Sequence, residues 1–340
     1  MTIAIGLDVH RAQITFDALD LESGEVETGQ IAPATRLELR RGLRRWNGEQ
    51  VAAAVEATTG WRFVVEELRR AGAEAHLAEP AETSARRGNK RRAKTDRRDA
   101  RHLRELLVEG RLPEAYIPPA HLLDLRARVR WRKTLVDQRT EWLQRIHAVL
   151  FHHGLRIPTG RLSGRGAADA VAQLDLPESA QGQITIALAL IEHVNGQLAP
   201  LDRELRSFAR RQPGCRALMD HYGIGARTST AFLAELGDVR RFSSSRQAVR
   251  FAGLDVTVHE SDRKRRAGHL SRQGPPVLRW AAFEAAETAC RPRSPDHDYY
   301  LEVKARQGAN RACLSVARKL LRRAYHTLRE LGDAALEPVA

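Results

Sequence analysis

The sequence predicts an α/β domain followed by all-α segments. Short apolar runs alternate with helical stretches up to about residue 110, three prolines cluster just beyond, and long apolar repeats with 3–4 spacing follow. The predicted domains are residues 1–115 (α/β), 116–212 (long helices of coiled-coil or linker character) and 213–340 (a helical C-terminal domain). A chain of 340 residues has room for two or three such domains.

The N-terminal segment has the periodicities of a mixed sheet with helices. Short apolar runs predict strands. Apolar residues spaced three and four apart, followed by Gly72 as a stop signal, predict the helix over 61–70. The predicted strands are 3–7, its hairpin partner 12–19, 51–55 and 75–77, and the predicted helices are 36–46, 61–70 and 99–108.

The remaining two thirds of the chain read as helical. Apolar spacing predicts helices over 121–151 and 184–208, joined by a Gly- and Pro-rich connection at 153–179. The apolar faces of these two helices have two open interpretations: an antiparallel helix pair within one bundle, or an intermolecular coiled coil. From Pro213 onward the segment reads as entirely helical. Its Tyr222-Gly-Ile-Gly225 turn resembles a helix-hairpin-helix, whose backbone N–H groups can hold a phosphate.

The charge favours a polyanionic partner. Lysine and arginine total 56 against 42 acids, a formal net charge of +14, and ten of the basic residues lie between 86 and 104. Aromatic residues make up only 5%, so contact with the backbone of structured nucleic acid is favoured over base stacking. The residues expected to contact nucleic acid are Arg86, Arg87, Lys90, Arg91, Arg92, Lys94, Arg97, Arg98, Gly223, Gly225, Arg263, Lys264, Arg265, Arg266 and Arg272.

Several classes of protein are disfavoured. No apolar run approaches the ~18 residues of a membrane span, and the N-terminus lacks the pattern of a signal peptide. Cys215, Cys290 and Cys313 have no CxxC spacing, which argues against a disulfide scaffold or a zinc finger. We therefore expect a cytoplasmic protein without a membrane partner, associated with the nucleoid when bound to DNA.

Four acids have the placement of a metal site. Asp8 lies at the end of the first predicted strand and Glu56 at the end of a later one, while Asp96 and Asp99 share one face of a helix. Each acid alone reads as an ordinary surface or capping residue. Together, carboxylates at strand ends and on one helix face can hold hard divalent cations such as Mg²⁺ or Mn²⁺.

These acids carry a family resemblance. Gly6-Leu-Asp-Val-His10, Val55-Glu-Ala-Thr-Thr-Gly60 and Lys94-Thr-Asp-Arg-Arg-Asp-Ala100 resemble the DEDD motif of a bacterial insertion-sequence transposase family, the hundred-and-ten group, which includes Piv-type DNA invertases. The resemblance implies a RuvC-like N-terminal domain with a ribonuclease-H-type sheet. It also implies that Asp8, Glu56, Asp96 and Asp99 are the catalytic, metal-binding tetrad.

The C-terminal segment is similar to the same family. The match continues through Ala234-Glu-Leu-Gly-Asp238, Phe251-Ala-Gly-Leu254 and Leu278-Arg-Trp-Ala-Ala282. The resemblance implies a serine nucleophile in this domain, and Ser261 is the matching residue. Asp262 replaces the usual glycine after it, and Ser271 is the rival serine. A serine hydroxyl can store a cleaved phosphodiester bond as a phosphoserine.

The expected function is therefore that of a DNA transposase, or recombinase, of an insertion sequence. The resemblance implies that the two domains form a composite site in a homo-oligomer, a dimer or tetramer. It also implies two partners, the DNA of the element ends and target, and a structured non-coding RNA encoded by the element. Two alternatives stay open: a RuvC-type metal-dependent nuclease or junction resolvase that uses water, and a catalytically decayed transposase that binds nucleic acid.

Overall fold

The computed structural model describes residues 2–86, 95–157, 159–162, 166–261 and 264–339, with the backbone alone for 159, 161, 257–261 and 264–267. The chain divides into two compact units, Met1–Ile117 and Pro118–Ala340. The predicted division into three domains is finer and stays a prediction.

The first unit is a five-stranded mixed sheet with helices on both faces. Its strands lie in the order β3-β2-β1-β4-β5. β1, β2 and β3 are antiparallel neighbours, whereas β4 and β5 run parallel to β1. The elements are β1 (Ile3–Val9), β2 (Ile14–Asp20), β3 (Val26–Ile31), α1 (Arg36–Leu43), β4 (Val51–Glu56), α2 (Trp61–Arg70), β5 (Glu74–Ala78), α3 (Pro80–Ala85) and α4 (Asp96–Val108).

The two faces of this sheet differ in polarity. One face carries large apolar residues such as Ile5, Phe16 and Val55, and α1 and α2 cover it with Leu39, Leu68 and their neighbours. The opposite face carries small and polar residues. α4 covers that face, and its Leu103 packs on Ala54 and Ala78. The alternation of side chains along each strand therefore separates an apolar core from a face that can present acids.

The second unit consists of two long helices and a smaller helical bundle. Its elements are α5 (Ala120–His152), α6 (Thr159–Leu162), α7 (Ala167–Ala172), α8 (Glu178–Arg211), α9 (Pro213–Met219), α10 (Ala226–Leu236), α11 (Ser245–Phe251), β6 (Val256–Ser261), β7 (Lys264–Leu270), α12 (Pro276–Ala289), α13 (His297–Gln307) and α14 (Ala309–Leu331).

Helices α5 and α8 pack antiparallel within the chain. Arg128 of α5 pairs with Glu204 of α8, and Ile146 near the other end of α5 packs against Ile184. The contacts between α5 and α8 fit the interpretation as an antiparallel helix pair within one bundle. An intermolecular coiled coil stays a prediction. α8 continues through Pro200, although a proline inside a helix removes one backbone hydrogen bond.

Helix α8 also has the length and apolar composition of a membrane-crossing helix, which the sequence reading did not anticipate. One 18-residue window reaches a mean hydropathy of 1.2, and 28% of it is buried. A core helix passes the same test. The apolar stripe through Ile184, Ile191 and Leu198 is buried within the unit, so this side of α8 is part of the helical core. A single helix of this kind is weak evidence for a membrane span.

The C-terminal bundle corrects one prediction. Residues 213–340 were expected to be entirely helical, yet β6 and β7 form an antiparallel two-stranded sheet. Only Val256, Val258, Ala267 and Leu270 are apolar in these two strands, so the apolar pattern gave little indication of them. The short helices α9 and α10 flank the Tyr222–Gly225 turn as expected.

Candidate functional site

Three of the four predicted acids line one open pocket in the first unit. β1 and β4 are parallel neighbours with Leu7 opposite Val55, so Asp8 and Glu56 follow side by side at the carboxyl ends of their strands. Asp99 reaches the same pocket from the first turn of α4. The pocket has a volume of about 790 Å³, and its lining includes Thr58, Thr59 and Ser84.

The fourth acid, Asp96, joins this group through two side chains from the β1–β2 connection. The Nε2 atom of His10 lies 3.1 Å from Oδ2 of Asp8 and 3.6 Å from Oδ1 of Asp96. The side-chain amide of Gln13 donates to Oδ2 of Asp96 at 3.3 Å. Potential ligand atoms of Asp8, His10 and Asp96 all lie within 4.8 Å of one another.

His10 and Gln13 are the site residues that sequence reasoning missed. A signal for His10 was present, because it lies two residues after Asp8 and strand alternation places such residues on one side. Gln13 carries no comparable signal, since its contact joins residues 83 positions apart.

A buried ion pair holds α4 against the sheet. The guanidinium of Arg104 donates to a carboxylate oxygen of Asp17 on β2, and both side chains are less than a tenth exposed. Thr95 caps the same helix by accepting a hydrogen bond from the backbone N–H of Arg98. Together these contacts fix the end of α4 that carries Asp96 and Asp99.

The electrostatics and donor chemistry suit a hard cation. Burial raises the pKa of Asp8; His10 opposes this effect, and the charges of Asp99 and Asp96 add to it. A divalent cation would relieve this repulsion among carboxylates. The hydroxyl of Thr15, opposite Asp8 in the β1–β2 register, is fully buried and has no hydrogen-bond partner among the described residues. Carboxylates and a hydroxyl are oxygen donors, which Mg²⁺ and Mn²⁺ prefer.

The basic residues predicted around the acids are only partly described. Arg97 and Arg98 are exposed in the first turn of α4. Arg86 donates to the backbone carbonyl of Arg111. Five others, Arg87, Lys90, Arg91, Arg92 and Lys94, lie outside the described residues.

The two candidate serines stand at opposite ends of the β6–β7 hairpin. Ser261 is the last residue of β6, and its side chain is outside the described part of the chain, as are Asp262, Arg263 and the side chains of Lys264, Arg265 and Arg266. Ser271 follows β7, and its hydroxyl donates to the carboxylate of Asp255.

The other predicted contact residues of the second unit are placed as follows. Arg272 is exposed with a left-handed φ of 52°. Gly223 packs closely on α12, because a Cβ there would lie 2.4 Å from the carbonyl oxygen of Ala285. Gly225 immediately precedes α10, where a Cβ would meet nothing within 4 Å. Gly223 is therefore required for packing, whatever else it contacts.

Two family models match the chain in separate places. Residues 5–153 match a transposase model of the DEDD type named for IS110, which spans all four acids. Residues 215–301 match a model described as the transposase IS116/IS110/IS902 family, which spans both serines.

Relatives with related names align with large parts of the chain. The transposase for insertion sequence element IS1111A of Coxiella burnetii is 26% identical over 66% of this chain and 64% of its own length. A "Probable family 20 transposase" of Pseudomonas aeruginosa is 26% identical over 84% of both chains. The transposase for IS1328 of Yersinia enterocolitica is 24% identical over 46% of this chain and 47% of its own. Three of the four acids line one pocket, and the two family models match in their order along the chain. The chain belongs to the IS110-type DEDD family of insertion-sequence transposases.

Proposed function

We propose that this protein cleaves and rejoins DNA as the transposase of an insertion sequence. The observation that carries the proposal is the convergence of Asp8, Glu56 and Asp99 on one pocket, with Asp96 beside it. Carboxylates from two strands and a helix are brought together there at one end of the sheet. Structural acids that merely balance arginines would have no reason to meet in this way.

The N-terminal unit is proposed to be RuvC-like. Support comes from the mixed sheet with the order β3-β2-β1-β4-β5 and from acids at the ends of its two adjacent parallel strands. The finer domain division, 1–115, 116–212 and 213–340, is part of the same proposal, as is a helix-hairpin-helix role for the turn before α10.

The tetrad is proposed to hold Mg²⁺ or Mn²⁺. Asp8, Glu56, Asp96 and Asp99 supply oxygen ligands, while His10 stands between two of them. When bound, such ions stabilise the negative charge on attacking and leaving oxygens of a phosphodiester. The protein's own part is to fix the carboxylates: Arg104 anchors α4, and Gln13 orients Asp96.

Ser261 is proposed as the nucleophile. Its oxygen forms a bond to phosphorus while the bond to a deoxyribose oxygen breaks, and the leaving oxygen takes up a proton. Rejoining reverses the roles, because a deoxyribose hydroxyl attacks the phosphoserine and releases Ser261. Ser271 is the second candidate, because Ser261 is the residue that matches the family's serine. The hydroxyl of Ser271 donates to the carboxylate of Asp255. The neighbouring basic residues 263–266 would neutralise charge on the phosphate.

The proposed partners are DNA, a structured RNA encoded by the element, and further copies of the chain. The basic stretch at 86–98, the turn at Gly223 and Gly225, and Arg272 would contact phosphates. Delegation of sequence recognition to an RNA is compatible with basic surfaces that lack a base-reading motif. The proposed location is the bacterial cytoplasm.

The test is a search for a covalent intermediate. Purified protein is incubated with DNA carrying the element ends, transcripts of its flanking regions and Mg²⁺, then run on a denaturing gel. We expect a protein–DNA adduct that Ser261→Ala abolishes and Ser271→Ala retains. Cleaved DNA without any adduct would instead indicate a nuclease that uses water. Retained binding with no cleavage, unchanged by Asp8→Asn, would indicate a decayed copy.

A further inference from the structure

The last turns of α8 carry an arginine surface, which we define as Arg203, Arg206 and Arg210. Their spacing of three and then four residues places them on one side of the helix, and all three are exposed. A shallow concavity of about 380 Å³ lies here, and its lining consists of these arginines with Ser207 and Arg211. The surface is therefore lined entirely by basic and hydroxyl side chains.

The acids nearest to this surface in sequence are engaged elsewhere. Asp202 pairs with Arg132 at 2.5 Å and with Arg227 at 2.6 Å. Glu204 pairs with Arg128 at 2.5 Å. Among the ion pairs of the described residues, none includes a member of the arginine surface. Like charges three or four residues apart destabilise a helix, so the surface is unfavourable for folding.

The helix dipole explains only part of this pattern. Cations in the last turn of a helix interact favourably with its C-terminal carbonyl groups, and Arg210 lies in that turn. Arg203 and Arg206 lie further inside, where this effect has faded. The surface also falls between the two family matches, which end at 153 and resume at 215.

We propose that the arginine surface of α8 binds the sugar–phosphate backbone of a nucleic acid duplex. Guanidinium groups donate paired hydrogen bonds to phosphate oxygens. Arginines one helical turn apart, with Cβ atoms about 5–6 Å from each other, can each contact a separate phosphate of one strand. The lining holds no aromatic side chain on which an unpaired base could stack, which favours a duplex over a single strand. The inference rests on the proposed function, to which it adds a contact in the helical middle of the chain.

The test compares two triple variants of equal charge. Arg203→Gln/Arg206→Gln/Arg210→Gln removes the surface. The control, Arg41→Gln/Arg111→Gln/Arg306→Gln, removes three arginines that are also exposed but that each pair with an acid. Both lower the formal net charge of +14 by three. Because the like-charge repulsion disappears, the surface variant should melt at or above the wild-type temperature, which checks that it is folded.

Binding is measured by fluorescence anisotropy with a labelled DNA duplex and an RNA duplex of the same sequence, across salt concentrations and in EDTA. For three lost contacts on DNA, the slope of log K against log salt should fall by about 2.7, and the control slope should stay at the wild-type value. A loss on one duplex alone identifies which nucleic acid supplies the phosphates. An unchanged slope on both duplexes, or an equal fall in the control, overturns the inference. EDTA removes the metal that the proposed DNA cleavage needs, so this assay measures binding alone. A failure of the proposed function would therefore be distinguishable from a failure of this inference.

Discussion

Gly6 of β1 lies directly beneath Ala100 of α4. A Cβ on Gly6 would come within 1.9 Å of the carbonyl oxygen of Ala100 and 2.7 Å of the backbone nitrogen of Arg104. The helix therefore approaches the strand as closely as a residue without a side chain allows. This approach brings the first turn of α4 to the end of β1, where Asp8 lies.

Gly6→Ala should therefore damage both stability and the acidic pocket. Backbone atoms cannot rotate away, so α4 must shift, at a cost of at least about 1–3 kcal/mol. Thermal unfolding of the full chain, with and without Mg²⁺, measures both effects. Gly182→Ala in α8 is the control, because a Cβ there meets nothing and the change should stabilise the helix by about 0.5–1 kcal/mol. A Gly6→Ala variant as stable as wild type would contradict this packing.

Asp17→Ala should be among the more destabilising changes in the first unit. It leaves the buried guanidinium of Arg104 without its carboxylate, and breaking such a pair costs about 3–5 kcal/mol. Denaturant unfolding gives the value. Glu302→Ala removes an exposed i,i+4 pair with Arg306 and should cost less than about 0.5 kcal/mol. Equal losses from the two substitutions would show that α4 does not depend on the buried pair.

Stability in acid should depend on Glu67, which joins α2 to α1. Hydrogen bonds from Arg40 and then Arg36 lower the pKa of this buried carboxylate to about 2, against the opposing effect of burial. Because the folded pKa is below the ordinary value of 4.5, the contribution is complete above that pH and is lost as pH falls toward 2. The stability difference between wild type and Glu67→Gln should therefore be largest near neutrality and shrink below pH 4.5. Parallel pH profiles for the two proteins would refute this.

Asp8→Asn should uncouple stability from metal binding. Without metal the variant should melt at or above the wild-type temperature, because burial and neighbouring carboxylates disfavour the Asp8 charge. The wild type should gain stability as Mg²⁺ or Mn²⁺ is added, and the variant should gain much less. Differential scanning fluorimetry across a metal titration measures both. EDTA should abolish DNA cleavage by the wild type while leaving DNA binding intact, which a filter-binding assay checks.

Much of the first unit could be predicted from the sequence. The strands that carry Asp8 and Glu56 are short, apolar and β-branched or alanine-rich, and their ends coincide with the acids. Helix α2 begins and ends where its spacing predicts. In each of these elements the apolar residues recur with the period of a strand or of a helix, because one face of the element is buried in the core.

The missed elements lack such a period. β3 is an edge strand with mostly exposed residues, and it contributes little beyond Ile31 to the core. The β6–β7 hairpin is rich in charge, and its strands are held by their pairing with each other. Gln13 acts through a contact with Asp96 that only the folded chain creates, so the sequence around Gln13 gave no indication of its role. His10 differs, because its position two residues after Asp8 was a usable signal.

The acidic pocket also has a consequence for synthesis on the ribosome. Asp8 and Asp99 are about 90 residues apart in the chain, and they meet only once α4 has packed on a sheet built from the segments before it. Domains fold from the N-terminus as the chain emerges. The strands of a nascent chain can therefore pair before the segment that carries Asp96 and Asp99 has been synthesised. Metal binding by all four carboxylates is thus confined to chains already translated beyond α4.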